Sequence, residues 1–294
     1  MFKKLAVLSQ IFCLVIIFSN LSCAQKSDGD RKMNQPVEPF RIIGNIYYVG
    51  ASDVTSFLIT TPRGHILIDS GFTETVPQIK TNVARLGFKL EDVKILLVNH
   101  AHYDHCGGLA ELKKLTGARL LASPPDAAVL EDGGASDFRF GGDKAFSFAP
   151  VKPDELLKDG QEIDLGGVKL KTHFTFGHTK GATSWTTDVT EKGKTYKVVF
   201  MSSATTLDYT FVNNEKYPQI ADDFTKTYQT FKAIKADVFL ASHGQFFDLL
   251  GKAESWRAGA KTNPFIDSEG YQKFVAEITA AFEKKLNAEK AKNK

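Results

Sequence analysis

Residues 95–108, ILLVNHAHYDHCGG, constrain this chain more tightly than any other stretch. An apolar run suited to a buried strand gives way to three histidines and an aspartate within six positions, in a chain with only seven histidines. His100 and His102 are two apart, so an extended turn points both imidazoles the same way. Asp104 and His105 face a neighbouring point a few residues on. A loop between a strand and a helix is held at both ends, which suits such a cluster. Neutral imidazole binds zinc at about 2.0–2.1 Å, and a carboxylate adds compensating negative charge. A lone histidine is usually solvated or packed in a core; three with an aspartate at this spacing read as a metal site.

The surrounding pattern is a mixed α+β fold. RIIGNIYYVG, TSFLITT and HILIDSG read as successive strands, TVPQIKTNVARLG as a helix closed by Gly87, and VKILLV as a buried strand. GLAELKKLTG resumes a helix and ARLLA another strand. The second half repeats this grammar: VKLKTHFTF, TSWTTDV and KVVFMSS as strands, DDFTKTYQTFKAIKA as a helix, and DVFLASHG as a strand ending in a histidine. Tyr271, Phe274, Val275, Ile278, Phe282 and Leu286 form the apolar stripe of a final helix. Strands and helices in both halves, with no linker between them, predict one domain over residues 40–294: two sheets between helices.

The N-terminus reads as an export signal over residues 1–24. Lys3 and Lys4 form its charged start, and Ile11–Phe18 is an apolar core too short to span a bilayer. A lipoprotein peptidase would cut before Cys23 and leave it acylated; an ordinary signal peptidase would cut before Gln25. Either product is expected in a bacterial periplasm, free or anchored. Residues 25–39 are polar, with Gly29, Pro36 and Pro39, and are expected to be a flexible leader. Of the three cysteines only Cys106 certainly remains, so no disulfide framework holds the fold. The net charge of +3 falls near zero once the two signal lysines are removed, which implies no nucleic-acid surface. The lysine-rich EKKLNAEKAKNK suits a solvated helix end.

His178, in FGHTKG, and His243, in ASHG, each sit where a strand runs into a glycine-containing turn. Beside HAHYDH both become ligand candidates, whereas His65 and His173 lie inside strand patterns and read as structural. HAHYDH, a later GHTKG and a last histidine resemble the metallo-β-lactamase superfamily, whose fold is an αβ/βα four-layer sandwich. That superfamily includes thioesterases, lactonases and nucleases, so fold does not fix substrate. Many of those hydrolases carry a bridging aspartate at the end of the strand that here reads YKVVFMSSATT. This chain has Ser202 and Ser203 there, and no cysteine. Together with GGASDFRFGG and NNEKYPQIADDF, this is similar to subclass B3 metallo-β-lactamases, from about Ile42 to at least His243.

The resemblance implies two zinc ions: one on His100, His102 and His178, the other on Asp104, His105 and His243. It implies hydrolysis of β-lactam amides (penicillins, cephalosporins and carbapenems) by zinc-activated water, with no covalent enzyme intermediate. Asp104, His100, His102 and His178 would form the catalytic set. Ser203 and Thr205 would receive the substrate carboxylate, or else make ordinary strand-end hydrogen bonds. Asp69, in LIDSG, is expected to brace the ligand loop. Cys106 reads as a small packed residue, and Phe138 and Phe140 as either a wall over the substrate or core plugs. No protein partner is implied, and a monomer is expected. The alternative is another dizinc hydrolase of this fold, acting on a lactone or thioester. A binding protein that had lost catalysis would need a spoiled ligand set.

Overall fold

The structure, a computed structural model, describes residues 27–293; the segment read as an export signal lies outside them. The stretch expected as a flexible leader differs from that expectation. It contains helix α1 (Asp28–Met33), and the carbonyls of Met33 and Gln35 accept from the backbone of Ser52, Asp53 and Val54. Asp30 also accepts from the Tyr103 hydroxyl at 2.8 Å. Composition alone misses this, because most of the docking runs through the main chain.

The first sheet holds β1 (Phe40–Ile43), β2 (Ile46–Tyr48), β3 (Phe57–Thr61), β4 (Gly64–Ile68), β5 (Val93–Leu97), β6 (Arg119–Ala122) and β7 (Glu155–Leu156), in that spatial order. RIIGNIYYVG thus forms a hairpin turning at Gly44-Asn45, not one strand. Strands β1 to β4 are antiparallel and β4 to β7 parallel. The parallel crossovers carry α2 (Val76–Arg85), then α3 (Tyr103–Cys106) with α4 (Leu109–Thr116), then α5 (Pro124–Glu131). The second sheet is β8 (Glu162–Leu165), β9 (Val168–Phe174), β10 (Thr183–Glu191), β11 (Lys194–Met201) and β12 (Val238–Ala241), with β12 parallel to β11 after α6 (Ile220–Ala233). Helices α7 (Leu249–Arg257) and α8 (Ser268–Lys292) close the chain.

Strand periodicity builds the layers. Phe57, Ile59, Ile66, Ile68, Ile95 and Leu97 join Trp185 and Phe200 of the second sheet in one core. Their alternating neighbours Leu58, Leu67 and Leu96 join Val76, Ile79 and Val83 of α2 and Leu112 of α4 in another. Each fully buried aliphatic side chain contributes roughly 1.5–3 kcal/mol. On the far side, Tyr271, Val275 and Phe282 of α8 are buried, and Phe274, Ile278 and Leu286 pack beside them. The result is the αβ/βα sandwich read from the sequence. The chain segments after β4, β5, β11 and β12 meet at one end of it. There the Ser202 hydroxyl donates to the Asn99 carbonyl at 3.0 Å, and Ser203 and Ser242 share a hydrogen bond of 2.8 Å.

Candidate metal centre

The site begins with a strained residue. Asp69 follows β4 in the left-handed region, at φ 62°, a conformation that costs a non-glycine residue on the order of 1–3 kcal/mol. Its carboxylate accepts from the backbone of Asn99 at 2.6 Å and from the Asn99 amide at 2.7 Å, and it lies 3.3 Å from His105 Nδ1. Asp69 therefore holds the start of the histidine turn and faces one imidazole beyond it.

Four separate segments then deliver side chains to one point. His100 and His102 come from the turn after β5, Asp104 and His105 from α3, His178 from the β9–β10 turn, and His243 from the end of β12. The metal-facing atoms of His100, His102 and His178 all lie within 4.8 Å of one another, as do those of His100, Asp104 and His105. His105 Nε2 stands 3.2 Å from His243 Nε2, and Asp104 Oδ2 is 3.4 and 3.7 Å from those two nitrogens. All six ligand candidates are thus brought together. The far nitrogens of two are fixed from behind: His178 Nδ1 donates to the Thr205 carbonyl at 2.9 Å, and His243 Nδ1 to Asp53 Oδ2 at 2.9 Å.

The electrostatics suit a cation. Burial, reinforced by neighbouring histidines, pushes His102 and His178 down to about 3 and His100 well below the usual imidazole range. These three are neutral at physiological pH, with lone pairs available. For His105 burial acts downward too, but Asp104 and Asp69 overcome it and carry the group up to about 10. Burial would raise Asp104, yet His105 and His243 hold it well below the usual carboxylate range. His100 Nε2 and His102 Nε2 are buried without a hydrogen-bond partner, an arrangement native proteins rarely tolerate. Three neutral imidazoles with orphaned nitrogens make a donor set that fits zinc, while beside Asp104 and Asp69 the proton on His105 occupies a place where a cation is favoured, and metal binding there would displace it. This is a metal-binding site.

Other sequence candidates fall around it. Ser203 is buried with its hydroxyl engaged by Ser242, and the Thr205 hydroxyl lies 3.3 Å from His178 Nδ1, so both are engaged within the protein. Phe138 is buried against Tyr209 and Tyr217, whereas Phe140 stands edge-on to His102 at 4.9 Å. One therefore plugs the core and the other flanks the site. Cys106 is buried, and packing accounts for it. His173 bonds Thr186 and His65 meets the Phe88 ring, both outside the cluster.

Sequence reasoning missed Asp53, Asp126 and Asp137. Asp53 also accepts from the Gln245 backbone at 2.8 Å, so it fixes both the tautomer and the loop of His243. Asp53→Ala is expected to weaken metal affinity about 10–100-fold, the usual effect of losing such a brace, measured by competition with a chromophoric chelator. Gly177, just before His178, has φ +134°, and a Cβ there would sit 2.8 Å from the Phe224 ring. Gly177→Ala should therefore displace His178, lowering both melting temperature and zinc stoichiometry; elemental analysis of the folded variant checks this.

A family model described as the metallo-beta-lactamase superfamily matches residues 49–190. Among solved structures, the native metallo-β-lactamase from Legionella gormanii is 39% identical, with TM-score 0.86 over 88% of this chain and 98% of that one. The subclass B3 metallo-β-lactamase of Bradyrhizobium japonicum is 36% identical, with TM-score 0.83 over 90% and 99%. A class B3 di-zinc metallo-β-lactamase from an Alaskan soil metagenome is 40% identical, with TM-score 0.82 over 89% and 98%. A hydroxyacylglutathione hydrolase of Pseudomonas aeruginosa is 30% identical over 121 residues, 41% of this chain but only 36% of that protein. The chain thus spans about a third of the length of the curated relatives it matches first. With the solved structures it shares nearly the whole domain, and it belongs to the metallo-β-lactamase superfamily, in its subclass B3 branch.

Proposed function

We propose that this protein is a β-lactamase that holds two zinc ions, one on His100, His102 and His178 and the other on Asp104, His105 and His243. The observation that carries the reading is the end-to-end likeness to metallo-β-lactamases at 36–40% identity, against a partial likeness to the thioester hydrolase. The ligand geometry supports it: His100, His102 and His178 form one donor group, His100 with Asp104 and His105 forms a second, and His243 stands beside Asp104 and His105. The serine pair after β11, where a bridging carboxylate would favour the lactone or thioester alternative, supports it as well.

Zinc, when bound, supplies Lewis acidity that polarises a carbonyl oxygen and acidifies water at neutral pH. The protein's own residues do the rest. Asp104, held as a carboxylate, would orient the attacking water, take its proton as the water adds to the carbonyl carbon, and return that proton to the ring nitrogen as the amide C–N bond breaks. His178 and His243, braced through their Nδ1 atoms, keep Nε2 turned into the site. Phe140 offers an apolar face beside His102 for the body of the substrate. No side chain forms a bond to the acyl group. On the same reading the mature chain works as a monomer in the periplasm, either free or anchored through an acylated Cys23.

The test is a substrate panel with the purified mature chain: a penicillin, a cephalosporin and imipenem against a glutathione thioester and an acyl homoserine lactone. Expected is kcat/KM of at least about 10⁴ M⁻¹s⁻¹, the lower end of the ordinary enzyme range, for at least one β-lactam, with the others at least a hundredfold lower. The reverse order would establish the alternative.

A further inference from the structure

The three-histidine half of the centre is assembled from two loops far apart in sequence, and one buried carboxylate touches both. Asp126 is 1% exposed. Its Oδ2 accepts the backbone N–H of Ala101 at 2.9 Å, between His100 and His102. The same oxygen accepts the hydroxyl of Thr179, next to His178, at 3.3 Å. Asp126 Oδ1 is buried with no hydrogen-bond partner.

The neighbourhood is built for close approach. Ser123, the N-cap of α5, donates its hydroxyl to the Gly181 carbonyl at 2.6 Å and accepts the Asp126 N–H at 3.4 Å. A Cβ on Gly181 would lie 2.3 Å from the Ser123 hydroxyl and 2.5 Å from the Asp126 carboxyl carbon, so only glycine fits. The first turn of α5 is therefore keyed into the 178–181 turn at both ends. An acid in the first turn of a helix ordinarily serves the helix dipole from the surface. A surface acid would serve that purpose at less desolvation cost than a buried one with an orphaned oxygen. The histidine turn supplies the stronger reason: His100 and His102 share one face, and the amide between them is buried and requires an acceptor.

We propose that Asp126 is a positioning residue for the metal centre, clamping the His100–His102 turn to the His178 turn through Ala101 N–H and the Thr179 hydroxyl. The proposal rests on the reading of these histidines as ligands of one metal ion. Losing the clamp leaves all three imidazoles present but lets the two turns drift apart. Metal affinity and coordination geometry then change before the fold does.

The experiment uses the full mature chain and its Asp126→Ala, Asp126→Asn and Thr179→Val variants, probed with Zn²⁺ and Co²⁺. Expected is a 10–100-fold loss of affinity for the first zinc in Asp126→Ala and a smaller loss in Thr179→Val. Asp126→Asn, which keeps an oxygen acceptor, should recover part of it. The cobalt absorption spectrum should shift in the same order, and the Ala101 amide should exchange faster in metal-free Asp126→Ala than in the parent. If the parent chain binds no zinc, the ligand reading fails. If the parent binds zinc and a folded Asp126→Ala keeps parental affinity, cobalt spectrum and Ala101 exchange, the clamp is overturned. Should Asp126→Ala not fold, Thr179→Val decides, and parental zinc affinity with a parental cobalt spectrum would overturn the proposal.

Discussion

Exhaustive chelation is expected to lower β-lactam turnover by at least about 10³-fold, roughly 4 kcal/mol of barrier, with recovery on adding zinc. The size follows from what else the site could use. Ser203 is buried with its hydroxyl tied to Ser242, and no general base is aimed at it in the manner of an activated serine. The Cys106 thiol is buried and pushed well above its ordinary range, first by burial and then by Asp104, so it stays protonated. Asp104, held well below the usual carboxylate range, is by itself a weak base toward free water. Nothing in the described residues replaces Lewis acidity. A second readout is stability. Zinc at about a thousandfold excess over its dissociation constant adds about 4 kcal/mol, so chelation should lower the melting temperature by about 7 °C in a chain of this size. Undiminished turnover by a chain shown to hold no metal would remove zinc from the reaction.

The legible part of this site was the local part. Four of the six ligand candidates lie within residues 100–105, where spacing alone brings them together. His178 and His243 carry a weaker signal, a histidine where a strand meets a glycine-containing turn, and they became candidates only beside HAHYDH. The sandwich was legible because alternation in TSFLITT and HILIDSG sorts Phe57, Ile59, Ile66 and Ile68 to one face and Leu58 and Leu67 to the other. The bracing acids escaped for a physical reason. Asp53 meets His243 across 190 positions, and Asp126 reads from sequence as an ordinary first-turn acid after two prolines. Phe138 and Phe140 likewise look equivalent two residues apart, yet the Asp137 carboxylate accepts the N–H groups of Arg139 and Phe140 and folds that loop tightly. One ring turns inward and the other toward His102.

Asp104→Asn should separate metal binding from folding most sharply. The change is isosteric, so sheet packing and α3 remain, but it removes the one carboxylate among the six ligand candidates. That carboxylate faces His105 and His243 at 3.4 and 3.7 Å inside a mostly buried site, with its side chain 13% exposed. Losing the one anionic ligand should weaken zinc binding by more than the roughly 10–100-fold that loss of a supporting group behind a ligand typically costs. The loss should fall on the half formed by Asp104, His105 and His243, since His100, His102 and His178 keep their own supports. Elemental analysis should therefore find zinc falling from two equivalents to one. On the proposed mechanism turnover should drop at least about 10³-fold, mainly in kcat, because Asp104 would no longer orient water and take its proton while the apolar face of Phe140 would still receive substrate. Two equivalents of zinc with turnover within tenfold of the parent would show that Asp104 neither holds the second ion nor handles the proton. The drop in zinc without a drop in turnover would instead place all of the chemistry on the three-histidine half.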